Sequence, residues 1–89
     1  MRRPEEFFPD QELVLIYIAK RLREAKKVEE LFDAHALDYL VEPDRYRGGV
    51  LFVRELIGAF FYLPEAMVPQ GREVLAAAGF KPYEPEDPA

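Results

Sequence analysis

Leu13-Val-Leu-Ile-Tyr-Ile18 is an unbroken apolar run, and its reading decides the fold. Branched aliphatics and a tyrosine favour a strand, and the lack of polar alternation predicts one buried on both faces. The charged run from Lys20 to His35 follows with helical periodicity, and Leu37 to Val41 is apolar again. A strand feeding a helix feeding a second apolar stretch predicts a β-α-β unit.

Working outward, the helix is expected from Arg21 to His35. At 100° per residue, Leu22, Ala25, Val28, Phe32, His35 and Ala36 share one side, with Leu31 at its edge. Lys20, Arg23, Lys26, Lys27, Glu30 and Asp33 share the other. Basic residues crowd its start and acidic ones its end, against the preference of the helix dipole. The second strand is predicted from Leu37 to Glu42, stopped by Pro43. Asp44 to Gly49 reads as a loop, Val50 to Arg54 as a third strand, Glu55 to Gly58 as a hairpin turn and Ala59 to Leu63 as a fourth strand. Pro69 suits the first turn of a second helix that ends at Gly79, with Val74, Leu75 and Ala78 as its apolar stripe. Phe80-Lys-Pro-Tyr-Glu84 repeats the exit from the first helix, Ala36-Leu-Asp-Tyr-Leu40, and Pro82 confines the second copy to a sheet edge or an extended segment.

The fold expected is α+β: a ferredoxin-like two-layer sandwich in the order β-α-β-β-β-α, with a mainly antiparallel sheet and both helices on one face. Met1 to Gln11 is an N-terminal tail, in which the adjacent Phe7 and Phe8 either fray or dock on an apolar surface. Residues 12 to 83 form a single domain. Glu84 to Ala89 is acidic and proline-rich, and is expected to be disordered.

Composition removes whole classes of function. The chain has 89 residues, enough for one domain that buries about 60–65% of its unfolded surface. Twelve basic against seventeen acidic side chains give a net charge of -5, the wrong sign for a non-specific nucleic-acid binder. The sequence contains no Ser, Thr, Asn or Cys. Apart from the tyrosine phenols, hydroxyl and thiol nucleophiles are therefore absent, as are disulfides and a Gly-Lys-Ser/Thr phosphate loop. No apolar window is long enough for a membrane span, and Glu5 and Glu6 interrupt any secretory signal after Arg2 and Arg3. A cytoplasmic location is expected.

At these residues a family resemblance emerges. The strand entering the helix, Glu24-Ala25 in its first turns, and the exit Ala36-Leu37-Asp38-Tyr39 resemble the small prokaryotic signal transducing protein family, whose fold is PII-like. Phe61-Tyr-Leu-Pro-Glu65 and Arg72-Glu-Val-Leu75 resemble that family's apolar-Pro-acidic strand end and closing helix. The likeness covers roughly Leu13 to Gly79, with Ala36 where the family usually has Gly. It implies a signal-transducing or regulatory role and carries over no catalytic residues.

Candidate sites are few. His35 is the only histidine and, without cysteine, makes no transition-metal site; no cofactor is expected. Arg45-Tyr46-Arg47-Gly48-Gly49 is the best anion-binding candidate, since two guanidiniums flank an aromatic and two glycines allow backbone N–H groups to approach a ligand. Lys20, Arg21 and Arg23 at the helix start form a second basic cluster. Solvated surface is the simpler reading of both, and the two form one site if the loop folds over the helix start. Paired carboxylates such as Glu29 and Glu30 read as solvated charge. The expected function is therefore a non-enzymatic regulatory or protein-interaction domain acting as a homo-oligomer. The alternative is a sensor of an anionic metabolite or nucleotide through Arg45 to Gly49.

Self-association follows from the strands. Side chains alternate between faces, which sets Leu13, Leu15 and Tyr17 against Val14, Ile16 and Ile18, and Phe60 and Tyr62 against Phe61 and Leu63. Two helices cover one face. Covering ~500 Å² of the other at ~25 cal/mol per Å² is worth on the order of 10 kcal/mol before association costs. A homodimer through Leu13, Leu15, Tyr17, Phe60 and Tyr62 is expected.

Overall fold

In the computed structural model, which describes residues 1–48 and 54–84, the chain is an α+β domain. It runs β1 (Leu13–Ala19), α1 (Leu22–Ala34), β2 (Leu40–Gly48), β3 (Arg54–Pro64) and α2 (Val68–Ala77). Short 3-10 turns precede β1, at Glu5–Phe7, and α2, at Glu65–Met67. The sheet order is β1-β3-β2, and both pairings are antiparallel. The long β3 is central, and the β1-α1-β2 unit straddles it.

One core holds the layers together. Ile16, Phe61 and Leu63 from the sheet meet Val28 and Phe32 of α1 and Leu75 of α2, all fully buried. Both helices therefore cover the same face. Phe32, Tyr39 and Phe61 form an aromatic cluster with centroids 5.4–6.0 Å apart, a spacing worth about 0.5–1.5 kcal/mol per pair beyond area burial.

The two helices end alike. Leu37 N–H donates to Phe32 O (3.0 Å) and Ala36 N–H to Asp33 O (3.1 Å); Phe80 N–H donates to Leu75 O (2.9 Å) and Gly79 N–H to Ala76 O (3.1 Å). Both are Schellman motifs, with a left-handed residue at C′ and an apolar one after it. Ala36 has φ 55° and Gly79 φ 88°. The repeated exits read from the sequence are thus one backbone device used twice.

Several strand assignments are corrected. Pro43 does not end the second strand, which starts at Leu40 and continues to Gly48. β2 is an edge strand, where a proline nitrogen turned away from the neighbour costs no ladder bond. Arg45 to Gly48 are therefore strand, not loop, whereas Gly49 and the third strand expected at Val50 to Val53 lie outside the described residues. Glu55 to Gly58 are not a turn: they belong to β3 and pair with Arg47 to Asp44. Gly58 serves close packing, since a Cβ there would sit 3.0 Å from the Tyr46 ring and 3.1 Å from Ala19 O. Among the described residues the order is β-α-β-β-α, one strand fewer than expected.

Facing also changes. The β1–β3 register shifts between Leu15 and Tyr17, where Ile16 is bulged opposite Phe61. The shift turns Tyr17 to the helix face, where its hydroxyl donates to Glu24 Oε1 (2.6 Å), and puts Ile18 on the open face with Leu13 and Leu15.

The N-terminal segment is docked. Arg2 makes a parallel bridge with Tyr39 at the outer edge of β2, Arg3 Nε is 2.8 Å from Asp38 Oδ1, and Phe8 is buried. At the other edge, Tyr83 N–H donates to the bulged Ile16 O (2.7 Å). The acidic tail beyond Glu84 lies outside the described residues. No helix among those described is long and apolar enough to cross a membrane.

Candidate functional site

β1 stops at Ala19, opposite Ala59, but the β2–β3 hairpin continues past it, so Asp44–Gly48 and Arg54–Gly58 pair only with each other. This two-stranded arm leaves concavities at its root. The larger, about 780 Å³, has Leu15, Ile18 and Phe60 of the sheet's open face on its floor. Lys20, Arg45, Tyr46 and Arg47 line it, together with Lys81, Tyr83 and Glu84 of the C-terminal segment and Glu24 of α1.

Two of the clusters singled out in the sequence therefore meet in part. Lys20 Nζ stands 5.4 Å from the centroid of the Tyr46 ring, a cation–π contact worth about 0.5–1 kcal/mol at an exposed site. They meet because β1 ends beside the root of the arm, not because a loop folds over the helix. Arg45 and Arg47 are exposed on β2, and Arg45 Nη1 is 3.3 Å from Glu55 Oε2, with both partners mostly in water. Such a pair adds little and yields readily to a competing anion. Four cations against two carboxylates make this cavity a positive spot on a chain of net charge -5.

The remaining candidates fall elsewhere. Arg21 lines a second groove, and Arg23 is exposed outside both. Gly48 is a strand residue whose Cβ would meet Leu56 Cδ1 at 3.0 Å, and Gly49 lies outside the described residues. His35 caps α1, with Nδ1 3.0 Å from Leu31 O. Among the described residues no three His, Cys, Asp or Glu side chains group closely enough to hold a metal ion. Of the interface candidates, Leu13, Leu15 and Tyr62 are half-buried on the open face, Phe60 is already buried, and Tyr17 faces the helices.

Lys81, Glu84 and Glu24 were not anticipated at a site. For Lys81 and Glu84 the signal is the repeated helix exit: a second Schellman turn followed by an extended segment brings Tyr83 to the edge of β1. Burial, then the hydrogen bond to Glu24 and its negative charge, raise the Tyr17 pKa well above the usual phenol value. Tyr17 is thereby held as a neutral donor at the cavity wall. Burial, with Asp44 and Glu42 nearby, raises that of Tyr62 as well.

No family model matches the chain, and no curated protein or solved structure matches it.

Proposed function

We propose that this chain is a non-enzymatic regulatory domain that senses a small anionic ligand in the open-face cavity. The observation that carries this reading is that Lys20, Arg45, Arg47 and Lys81 line one cavity together with Tyr46 and an apolar floor. Few precisely placed charges over a concave apolar surface is the usual composition of a ligand site. Guanidiniums suit a carboxylate or phosphate, and the floor suits an apolar or aromatic body. Turnover has little support: the chain has no hydroxyl or thiol nucleophile other than its phenols, and burial and Glu24 raise the pKa of the Tyr17 phenol, which disfavours its phenolate.

The β1-α1-β2 unit around a central β3, with the C-terminal segment at the outer edge of β1, suits a ferredoxin-like sandwich whose last strand is reduced to one bond. A PII-like signal-transducing role in the cytoplasm fits that reading. A thermal-shift panel of phosphate- and carboxylate-bearing metabolites tests it. A stabilising ligand is expected, and Arg45→Ala with Arg47→Ala removes its effect while leaving the ligand-free melting temperature unchanged. No stabilisation of the wild type by any of the panel overturns the reading.

A second reading, homodimerisation through the open face, rests on the half-buried Leu13, Leu15 and Tyr62. It is narrower than the sequence implied, because Phe60 is already covered and Tyr17 is turned away. Sedimentation equilibrium of wild type and Leu15→Asp decides it: a dimer lost in the variant supports it, and a wild-type monomer at micromolar concentration ends it.

A further inference from the structure

The arm leaves a second concavity that the proposed anion site does not use. A groove of about 420 Å³ lies between the first turns of α1 and the root of the β2–β3 hairpin, with Val41 and Ala59 in its apolar floor. Leu22 and Ile57 line it and are 80% and 72% exposed, the highest values for large apolar side chains among the described residues. Neither adds to the core, so intramolecular packing does not account for them. Isolated exposed apolar residues need no explanation, but two that flank one apolar groove form a patch.

The charge around the groove is one-sided. Arg2, Lys20, Arg21 and Lys26 line it against a single carboxylate, Glu29, which is already 3.8 Å from Arg2 Nη1. On a chain of net charge -5 this is a local inversion that selects an acidic occupant. The surface is concave, whereas a lipid surface calls for apolar tips that project. The chain's own acidic end, Glu84-Pro-Glu-Asp-Pro-Ala89, has no large apolar side chain to fill an apolar floor. A second copy would have to present its acidic-aromatic turn, Glu5 to Phe7, whose Phe7 ring already engages the Arg3 guanidinium at 4.5 Å and Phe8 at 5.1 Å.

We infer that this groove docks a short acidic segment of a partner protein, one that carries a large aliphatic or aromatic side chain among its carboxylates. The apolar side chain enters between Leu22 and Ile57, and the flanking carboxylates meet Arg21 and Lys26. The site is separate from the anion cavity, apart from Lys20, which lines both.

Random-peptide phage display against the full chain, followed by fluorescence polarisation of the enriched peptides, tests this. Enriched sequences are expected to place a large apolar residue among Asp and Glu. Their binding should weaken at least about tenfold in Arg21→Glu with Lys26→Glu, and as much in Ile57→Asp. It should also weaken with salt. Arg45→Ala with Arg47→Ala should leave it unchanged. All the substituted side chains are exposed, so circular dichroism and melting temperature should match wild type. No enrichment, enrichment of neutral or basic sequences, or indifference to these substitutions overturns the proposal. So does co-sedimentation with phosphatidylserine vesicles, or self-association, that Ile57→Asp abolishes, because the occupant would then be a lipid surface or a second copy.

Discussion

Gly71 of α2 lies so close to Leu63 of β3 that a Cβ on the glycine would come 2.2 Å from Leu63 Cδ1, and 2.7 Å from Ile16 Cδ1. Leu63 and Ile16 are both at 0% exposure, so neither side chain has solvent space to swing into. Alanine at this helical position should gain about 1 kcal/mol of propensity but lose about 1–3 kcal/mol to overpacking. The second effect wins: Gly71→Ala is expected to lower the melting temperature by roughly 5–10 °C. Thermal unfolding by circular dichroism measures this, and an unchanged or raised midpoint would refute the close contact.

The two Schellman turns call for opposite substitutions. Ala36 carries φ 55° without being glycine, a conformation that costs an L-residue about 1–2 kcal/mol. Ala36→Gly relieves it but adds backbone entropy to the unfolded chain, for an expected net gain of about 0.5 kcal/mol. Gly79, at φ 88°, has no atom within 4 Å of a built Cβ. Gly79→Ala should therefore lose about 1 kcal/mol from backbone strain alone. Urea unfolding of both variants compares the two signs directly.

Stability is expected to fall under alkaline conditions. The Tyr17 pKa is raised from its ordinary 10.0, first by burial and then by Glu24, and that of Tyr39 by burial and then by Asp33. The native state thus holds both phenol protons more tightly than the unfolded chain. Their contribution is fully present below pH 10.0 and is lost progressively as pH rises above it. Urea midpoints at about pH 9 and about pH 11 should differ in the wild type, and Tyr17→Phe should shrink the difference. A variant with the same alkaline loss as wild type would remove Tyr17 from the account.

Adjacent phenylalanines at the N-terminal segment should behave differently. Phe8 is 5% exposed and Phe7 43% exposed. Phe8→Ala is expected to cost about 3 kcal/mol and Phe7→Ala about 1 kcal/mol or less. Equal, small losses in chemical denaturation would mean that the segment does not hold its docked position in solution.

How much of this was legible in the sequence differs from element to element. Leu13 to Ile18 could be read as a strand, and α1 as an amphipathic helix, because period and composition are local properties. The exits at Ala36 and Gly79 could be paired because Schellman turns are written in a few adjacent residues. So could the charge pattern: Lys20, Arg45, Tyr46 and Arg47 stood out by residue type alone. The facing of Tyr17 could not be read, because a single bulged residue at Ile16 reverses everything after it, and only pairing with Phe61 reveals the bulge. Pro43 and Gly58 misled for a related reason: each breaks a strand by local propensity, but an edge position excuses the proline and the Tyr46 ring requires the glycine. The cavity itself belongs wholly to tertiary structure. It exists because β3 outruns β1 and leaves the arm partnered on one side only, and strand length relative to a neighbour depends on contacts between residues some forty positions apart.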